Sequence, residues 1–322
     1  MRSRLNKRWS IERVFSDLKS NFSAAFETEI VSAPYKSQGV GRRLGLLFWA
    51  YKLRTDINHI SGDIQFVALA LPKKNTILTI HDIERLRHLN GFRGWIYKKL
   101  WFEWPMKRVA QVTTISEKTR SDLVEIVGFD RQKIEVIHNP ISTAFVPNGA
   151  PFNSSNPRIL HIGTRENKNL ERVIEAVSTL PCTLVIIGHL SDAQRGLLAQ
   201  HDVVFDNHFD LTDEEIVAQY QSCDMVAFPS LFEGFGLVAV EGQACAKPVV
   251  TSFGSPFDEV VGQTACLVDP KDVMSIRNGI QKVIEDTAFR DDLISLGLKN
   301  AKRFSPDVVA RQYEQIYTKI GT

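Results

Sequence analysis

Short apolar runs of four to seven residues, rich in Val, Ile and Thr, recur through both halves of the chain between longer helical patterns. A chain built this way buries its runs as parallel strands and covers both faces of each sheet with helices. In the first half the strand candidates are TEIVSA (28–33), DINHIS (56–61), TILTI (76–80), QVTTIS (111–116) and IEVIH (134–138). In the second they are RILHIG (158–163), TLVIIG (183–188), DVVF (202–205), DMVAFPS (224–230), KPVVTS (247–252) and ACLVD (265–269). Between the two sets lies NPISTAFVPNGAPFNSSNP, where Pro, Asn, Ser and Gly replace periodicity. The expectation is two doubly wound α/β domains, residues 1–150 and 151–304, followed by a C-terminal helix over 305–322 placed to return to the first domain. That helix opens on Ser305 as N-cap and Pro306 at its first position, then runs apolar at Val308, Val309, Tyr313, Ile316 and Ile320. A chain of 322 residues that is 43% hydrophobic is long enough for two cores of about 150 residues each.

Several function classes fall away on composition. Cys182, Cys223, Cys245 and Cys266 are too far apart for a Cys-x-x-Cys metal site or a small disulfide framework, so they read as buried thiols of a cytoplasmic protein. The basic opening MRSRLNKRWSIERVF has no apolar stretch and cleavage site behind it, and no run of about 18 apolar residues occurs anywhere, which argues against export and membrane spanning. The net charge of +2 conceals an asymmetry: residues 1–150 carry 24 Lys and Arg against 14 Asp and Glu, whereas residues 151–322 carry 15 against 23. A basic first half points to an anionic surface or ligand. No zinc-finger, basic-zipper or RNP signature accompanies it, so nucleic acid is not expected; an anionic membrane face or a phosphate-bearing lipid fits the charge.

The stretch PSLFEGFGLVAVEGQACAKPV (229–249) sets Glu233 and Glu241 eight residues apart in surroundings apolar enough to be core. Carboxylates are rarely buried without a partner. DMVAFPS ends a strand, LFEGFG forms a turn relieved by Gly234 and Gly236, and LVAVEGQACA continues as a helix. Open α/β sheets bind ligands at the carboxyl ends of their strands, where N–H groups at a helix N-terminus face an anion. A ligand carrying both phosphates and hydroxyls, such as a nucleotide sugar, would satisfy this set together.

The run Glu233-Gly-Phe-Gly followed by Glu241 resembles the E-x7-E motif of the retaining family-four glycosyltransferases, which have the two-domain GT-B fold. HIGTRENKNLERVIEAV (161–177), LTDEEIVAQYQSCDMVAFPSLFEGFG (211–236) and VTSFGSPFDEVVGQTACLVDP (250–270) are similar to further blocks of that family. DINHISGDIQF, LTIHD, TTISEKT and KIEVIHNPI look like members that build bacterial surface polysaccharides. The resemblance implies two Rossmann-like domains facing a cleft and retaining transfer of a hexose-type sugar from a nucleotide diphosphate to a growing, lipid-linked polysaccharide such as O-antigen or capsule. It also implies roles for single residues. Glu233 would contact donor-sugar hydroxyls, and Phe235, Gly236 and Leu237 would offer backbone N–H groups. Glu241 would hold the ribose, Lys168 with Arg165 would neutralise the diphosphate, Gly163 and Thr164 would form the loop beside it, and His81 would reach the donor sugar from the first domain. Glu233, His81 and Lys168 form the expected catalytic set. A fixed cation at the leaving phosphate stabilises charge that develops in the transition state, and Arg's planar fork suits phosphate. Ser116 and Asn139 match family blocks too but read as structural.

No Asp-x-Asp spacing occurs, so no metal and no cofactor is expected, and the nucleotide sugar is a substrate. Two other readings stay open: a nucleotide-sugar epimerase on the same fold, and an inactive homologue serving as a binding or assembly subunit. The chain opens on a helical pattern (Ile11, Val14, Phe15, Leu18) where family members start with a strand and a Gly-rich loop, and Val238 replaces a frequent proline. GVGRRLG (39–45) imitates a dinucleotide loop but is separated from its strand, and reads as a loop leading into the helix LGLLFWAYKLR. From 85 to 108, Arg and Lys are interleaved with Trp95, Tyr97, Trp101, Phe102 and Trp104, a composition suited either to an anionic membrane interface or to a helix packed on the first sheet.

Overall fold

The computed structural model describes residues 11–321, which fall into two compact units: 11–140 together with 306–321, and 141–305. The basic opening through residue 10 lies outside the described residues. In the first unit α1 (Ile11–Lys19) and α2 (Val40–Lys52) precede four parallel strands, β1 (Asn58–Ile60), β2 (Thr76–Ile80), β3 (Gln111–Thr114) and β4 (Ile134–Val136). They lie side by side in chain order, with Asn58 opposite Thr76, Ile77 opposite Gln111 and Val112 opposite Ile134. The central strand β2 is buried along its whole length, as its unbroken apolar and Thr composition requires of a strand covered on both faces.

TEIVSA (28–33) does not form a strand. The segment has no regular structure, Ile30 and Val31 are exposed, and only Ala33 is buried. β1 is the edge of the described sheet, so the segment's β-propensity meets no neighbouring ladder, and propensity without a paired neighbour does not hold a strand. GVGRRLG is likewise not a loop: Gly39, at φ 80°, caps α2, which begins at Val40. The 85–108 segment is broken rather than one helix. α3 (Gly91–Tyr97) runs into a π-turn over Lys98–Glu103, and Tyr97, Trp101 and Phe102 are buried while Phe92, Trp95 and Trp104 stay exposed.

The second unit is a six-stranded parallel sheet: β5 (Arg158–Ile162), β6 (Thr183–Ile187), β7 (Phe205–His208), β8 (Met225–Phe228), β9 (Val249–Ser252) and β10 (Cys266–Val268), ordered β10-β9-β8-β5-β6-β7. Helices α4 (Leu170–Val177), α5 (Asp213–Ser222), α6 (Leu237–Ala244), α7 (Val273–Glu285) and α8 (Thr287–Ala301) cover it. The chain lays β5, β6 and β7 outward in one direction, then returns to the far side of β5 for β8. The point where the order reverses lies between β5 and β8. DVVF overshoots the N-terminal side of β7: Asp202 is left-handed at φ 49° and Val204 is exposed, so the strand starts at Phe205 and continues through Asp206, Asn207 and His208. All four cysteines are free and buried.

The last helix, α9 (Pro306–Gly321), belongs to the first unit rather than to the second that precedes it. Val309, Ala310, Tyr313, Ile316 and Tyr317 pack with Leu18 of α1, Ile77 of β2 and Ile137 in a core of their own. Among the described residues no helix is long and apolar enough to cross a membrane.

Candidate functional site

In the second unit the reversal point carries charge. β5 is followed by Gly163, whose φ of 98° is open to glycine and strained for other residues. A Cβ there would lie 2.7 Å from Lys168 Cγ, so the missing side chain is what lets the Lys168 stem cross the end of the strand. Lys168 Nζ reaches Glu233 Oε1 at 2.5 Å, in the loop that follows β8. It also lies 4.9 Å from the centre of the Phe228 ring, on the last residue of β8. The ion pair thus bridges the two strands where the sheet order reverses, 65 residues apart in sequence.

Around this pair the loops are tied by polar side chains. Ser230 Oγ, buried, lies 2.8 Å from Glu233 Oε1 and 2.7 Å from the Asn167 carbonyl. Asn167 Nδ2 donates to the Phe232 carbonyl at 3.1 Å, and the Leu231 N–H donates to the Asn167 carbonyl. Asn169, left-handed at φ 64°, donates from Nδ2 to the carbonyls of Pro229 and Pro270. Asn tolerates that backbone conformation better than most residues, and its amide can satisfy carbonyls on two loops at once.

The turn after Glu233 is fixed by Gly236, the N-cap of α6, at φ 96°. A Cβ there would meet Phe257 Cε1 at 2.5 Å. Phe235 is buried with its ring edge-on to Phe304, and Leu237 begins the helix. α6 therefore begins four residues after Glu233, and the first-turn N–H groups of a helix lack intrahelical acceptors. Glu241, one turn further on, is 4% exposed and accepts the Tyr220 hydroxyl at 2.6 Å. Burial and the neighbouring carboxylate hold the Tyr220 phenol well above its usual pKa, so it stays a donor. The two glutamates thus rest on different partners: Glu233 on Lys168 and Ser230, Glu241 on Tyr220.

Of the other expected residues, Thr164 donates its hydroxyl to the His189 carbonyl at 2.7 Å, which makes it a tie between the ends of β5 and β6. Arg165 is exposed, and its side chain holds no hydrogen bond or ion pair among the described residues. His81 belongs to the first unit, where it follows β2. Its Nε2 lies 3.0 Å from the Ser61 carbonyl, and burial lowers its pKa to about 4, so the ring is a neutral donor. Ser116 caps the helix Glu117–Asp122 through the Thr119 N–H, in keeping with a structural role. Reasoning from sequence did not single out Ser230, Asn167, Asn169 or Tyr220. The ties from Ser230 to Asn167 and from Asn169 to Pro229 join residues 60 or more apart in sequence, a distance that leaves no local pattern.

No group of three or more His, Cys, Asp or Glu arranged to hold a metal occurs among the described residues. A lysine ammonium has three N–H donors; with one on Glu233, two remain for the oxygens of an anion. The arrangement can therefore bind an anionic group at the reversal point and offer a carboxylate next to it.

Residues 144–300 match the family model described as Glycosyl transferases group 1, and residues 22–145 match Glycosyltransferase Family 4. The serotype-specific mannosyltransferase WbdA of Escherichia coli is 25% identical over 77% of this chain and 34% of that protein, so the chain spans about a third of that relative's length. O-antigen chain mannosyltransferase B of Escherichia coli is 27% identical, over 94% of this chain and 90% of that protein. Among solved structures, Anabaena Alr3699/HepE in complex with UDP and glucose superposes with a TM-score of 0.74 at 20% identity, over 89% of this chain and 84% of that one. The fold is GT-B, with two parallel-sheet α/β units.

Proposed function

Because the chain belongs to the group 1 glycosyltransferases, we propose that it transfers a hexose-type sugar from a nucleotide diphosphate to a growing, lipid-linked polysaccharide, with retention of configuration, at the cytoplasmic face of a membrane. The observation that supports this reading most directly is the Lys168–Glu233 pair across the reversal point of the second sheet. Open α/β sheets take their ligands at that point. Lys168 neutralises the diphosphate as the glycosidic phosphate bond breaks, and its charge counts for more in the transition state than in the ground state. The backbone N–H groups of Phe235, Gly236 and Leu237, in the turn and at the start of α6, add to that field. Gly163 keeps the strand end low enough for the diphosphate to approach, with Thr164 fixing the loop and Arg165 reaching in from its exposed position. Glu233 accepts hydroxyls of the donor sugar, and Glu241, oriented by Tyr220, accepts those of the ribose.

In this reading the side chains act by charge and position, and the leaving phosphate takes the acceptor's proton. No metal enters, and transfer is expected to run in full in excess EDTA. The deciding measurement is thermal unfolding with UDP-, GDP-, dTDP- and ADP-sugars in turn, since a ligand that binds only the folded chain raises its unfolding temperature. At least one donor is expected to raise it in the wild type and to raise it far less in Lys168→Ala. No response to any of the four would overturn the proposal.

A further inference from the structure

In the first unit α2 presents two apolar faces. Leu46 and Ala50 point into the core, and Arg43 lies over the Trp101 ring at 4.7 Å, which pins that side to the unit. Val40, Leu44, Phe48 and Tyr51 are spaced by four, four and three residues and so line one stripe of the helix. They are 72%, 61%, 61% and 47% exposed. Four large apolar side chains aligned along 13 residues and left in water are not the scattered exposure of an ordinary surface.

The charge around this stripe has one sign. From residue 30 to residue 55 there is no Asp or Glu, and Lys36, Arg42, Arg43, Lys52 and Arg54 are all cationic. Among the described residues, Lys36, Arg42, Lys52 and Arg54 hold no ion pair. Lys52 sits 4.5 Å from the centre of the Phe48 ring and Arg54 4.1 Å from that of Tyr51, so each cation rides on an exposed aromatic of the stripe. The 85–108 segment differs. Its Phe92 and Trp95 are exposed and stacked, but Lys98 and Lys99 both face Glu103, at 3.7 and 2.5 Å, and Arg87 pairs with Asp122, so part of its charge is answered by carboxylates.

We propose that the outer face of α2 docks this chain on an anionic lipid bilayer, with Val40, Leu44, Phe48 and Tyr51 entering the boundary between headgroups and acyl chains and Arg42, Lys52 and Arg54 meeting the headgroup phosphates. An apolar stripe flanked by cations is the pattern of a helix that lies in the plane of a membrane interface. A second copy of the chain would set this cationic face against its own like and is disfavoured for that reason. The inference sharpens the membrane clause of the proposed function, and its test uses no nucleotide sugar, so its failure and that of the donor chemistry are separately visible.

The test is flotation of the full chain with vesicles of phosphatidylcholine alone and of phosphatidylcholine with 30% phosphatidylglycerol. The wild type is expected to float with the anionic vesicles and to stay down with the neutral ones. Leu44→Glu/Phe48→Glu is expected to lower the bound fraction at least tenfold, Arg42→Gln/Lys52→Gln/Arg54→Gln to lower it severalfold and flatten its salt dependence, and Trp95→Ser to leave it unchanged. Near-ultraviolet circular dichroism confirms that each variant is folded, as expected for exposed positions. Equal recovery with both vesicle types, binding that depends on Trp95 and not on Phe48, or a wild-type dimer in sedimentation velocity that the Leu44/Phe48 variant abolishes would each overturn the proposal.

Discussion

The second sheet carries Lys168 and Glu233 in contact at the ends of β5 and β8, whereas the first sheet saturates its polar side chains internally. In the first unit His59 lies between the Tyr317 hydroxyl at Nδ1 and the Thr79 hydroxyl at Nε2, each at 2.7 Å, and Thr79 in turn meets Thr113 at 2.6 Å. Phe15, Tyr313 and Tyr317 surround that imidazole. The difference follows from strand order. Strands laid in sequence, as β1 to β4 are, send successive connections the same way; the return from β7 to β8 makes the loops after β5 and β8 diverge and leaves room between them. A polar group in the first sheet can therefore be a structural tie, and one at the reversal of the second is available to a ligand.

The largest effect that could break this contrast is on turnover. Lys168→Ala and Glu233→Ala are each expected to lower transfer at least 100-fold, about 3 kcal/mol of transition-state stabilisation, with the unfolding midpoint little changed. A variant with full activity would reduce the pair to a structural tie like His59. Next come two glycines. Gly236→Ala places a Cβ against Phe257 at φ 96°, and about 3 kcal/mol of stability is expected to be lost in urea titration. Gly128→Ala in the first unit, at φ 78° with open space around it, is expected to cost only about 1 kcal/mol.

An effect between those of the two glycines tests the buried carboxylate. Tyr220→Phe removes a donor from Glu241 and is expected to cost about 2 kcal/mol in the same titration. If Glu241 holds the ribose, the variant also weakens nucleotide-sugar binding, whereas a purely structural role leaves that binding intact.

The smallest effect separates the units by pH. Burial lowers the pKa of His59 to about 3, of His81 to about 4 and of His161 to about 4, against an ordinary value of 6.5. Below 6.5 the unfolded chain takes up protons that the folded chain refuses, so the stability these rings contribute is complete above pH 6.5 and declines as pH falls toward 4. Each is expected to withdraw roughly 1 kcal/mol between pH 7 and 5.5. Two of the three lie in the first unit, and His59→Gln is expected to flatten the pH dependence of its unfolding. An unchanged slope would show that His59 takes up a proton while folded.

The sequence made the interior legible and the edges less so. TILTI, RILHIG and TLVIIG are continuous apolar runs because both faces of those strands are covered, and each contains an observed strand. β7 is polar, Phe-Asp-Asn-His, because it lies at an edge, and TEIVSA has the composition of a strand but no neighbour to pair with. The turn around Gly236 was readable because a special backbone conformation leaves a glycine in the sequence. The bonds from Ser230 to Asn167, from Asn169 to Pro270 and from Tyr220 to Glu241 leave no periodic trace, since each joins segments brought together only by the completed sheet.

The helix α9 makes the covalent path cross between the units twice, near 140 and again near 305, so the second unit is an insertion within the first. Cutting the chain at 305 to isolate the second unit would strip Tyr313 and Tyr317 from around His59 and unravel the first. A deletion at the carboxyl terminus is thus an injury to the amino-terminal fold, and loss of activity on trimming there says nothing about Lys168 and Glu233.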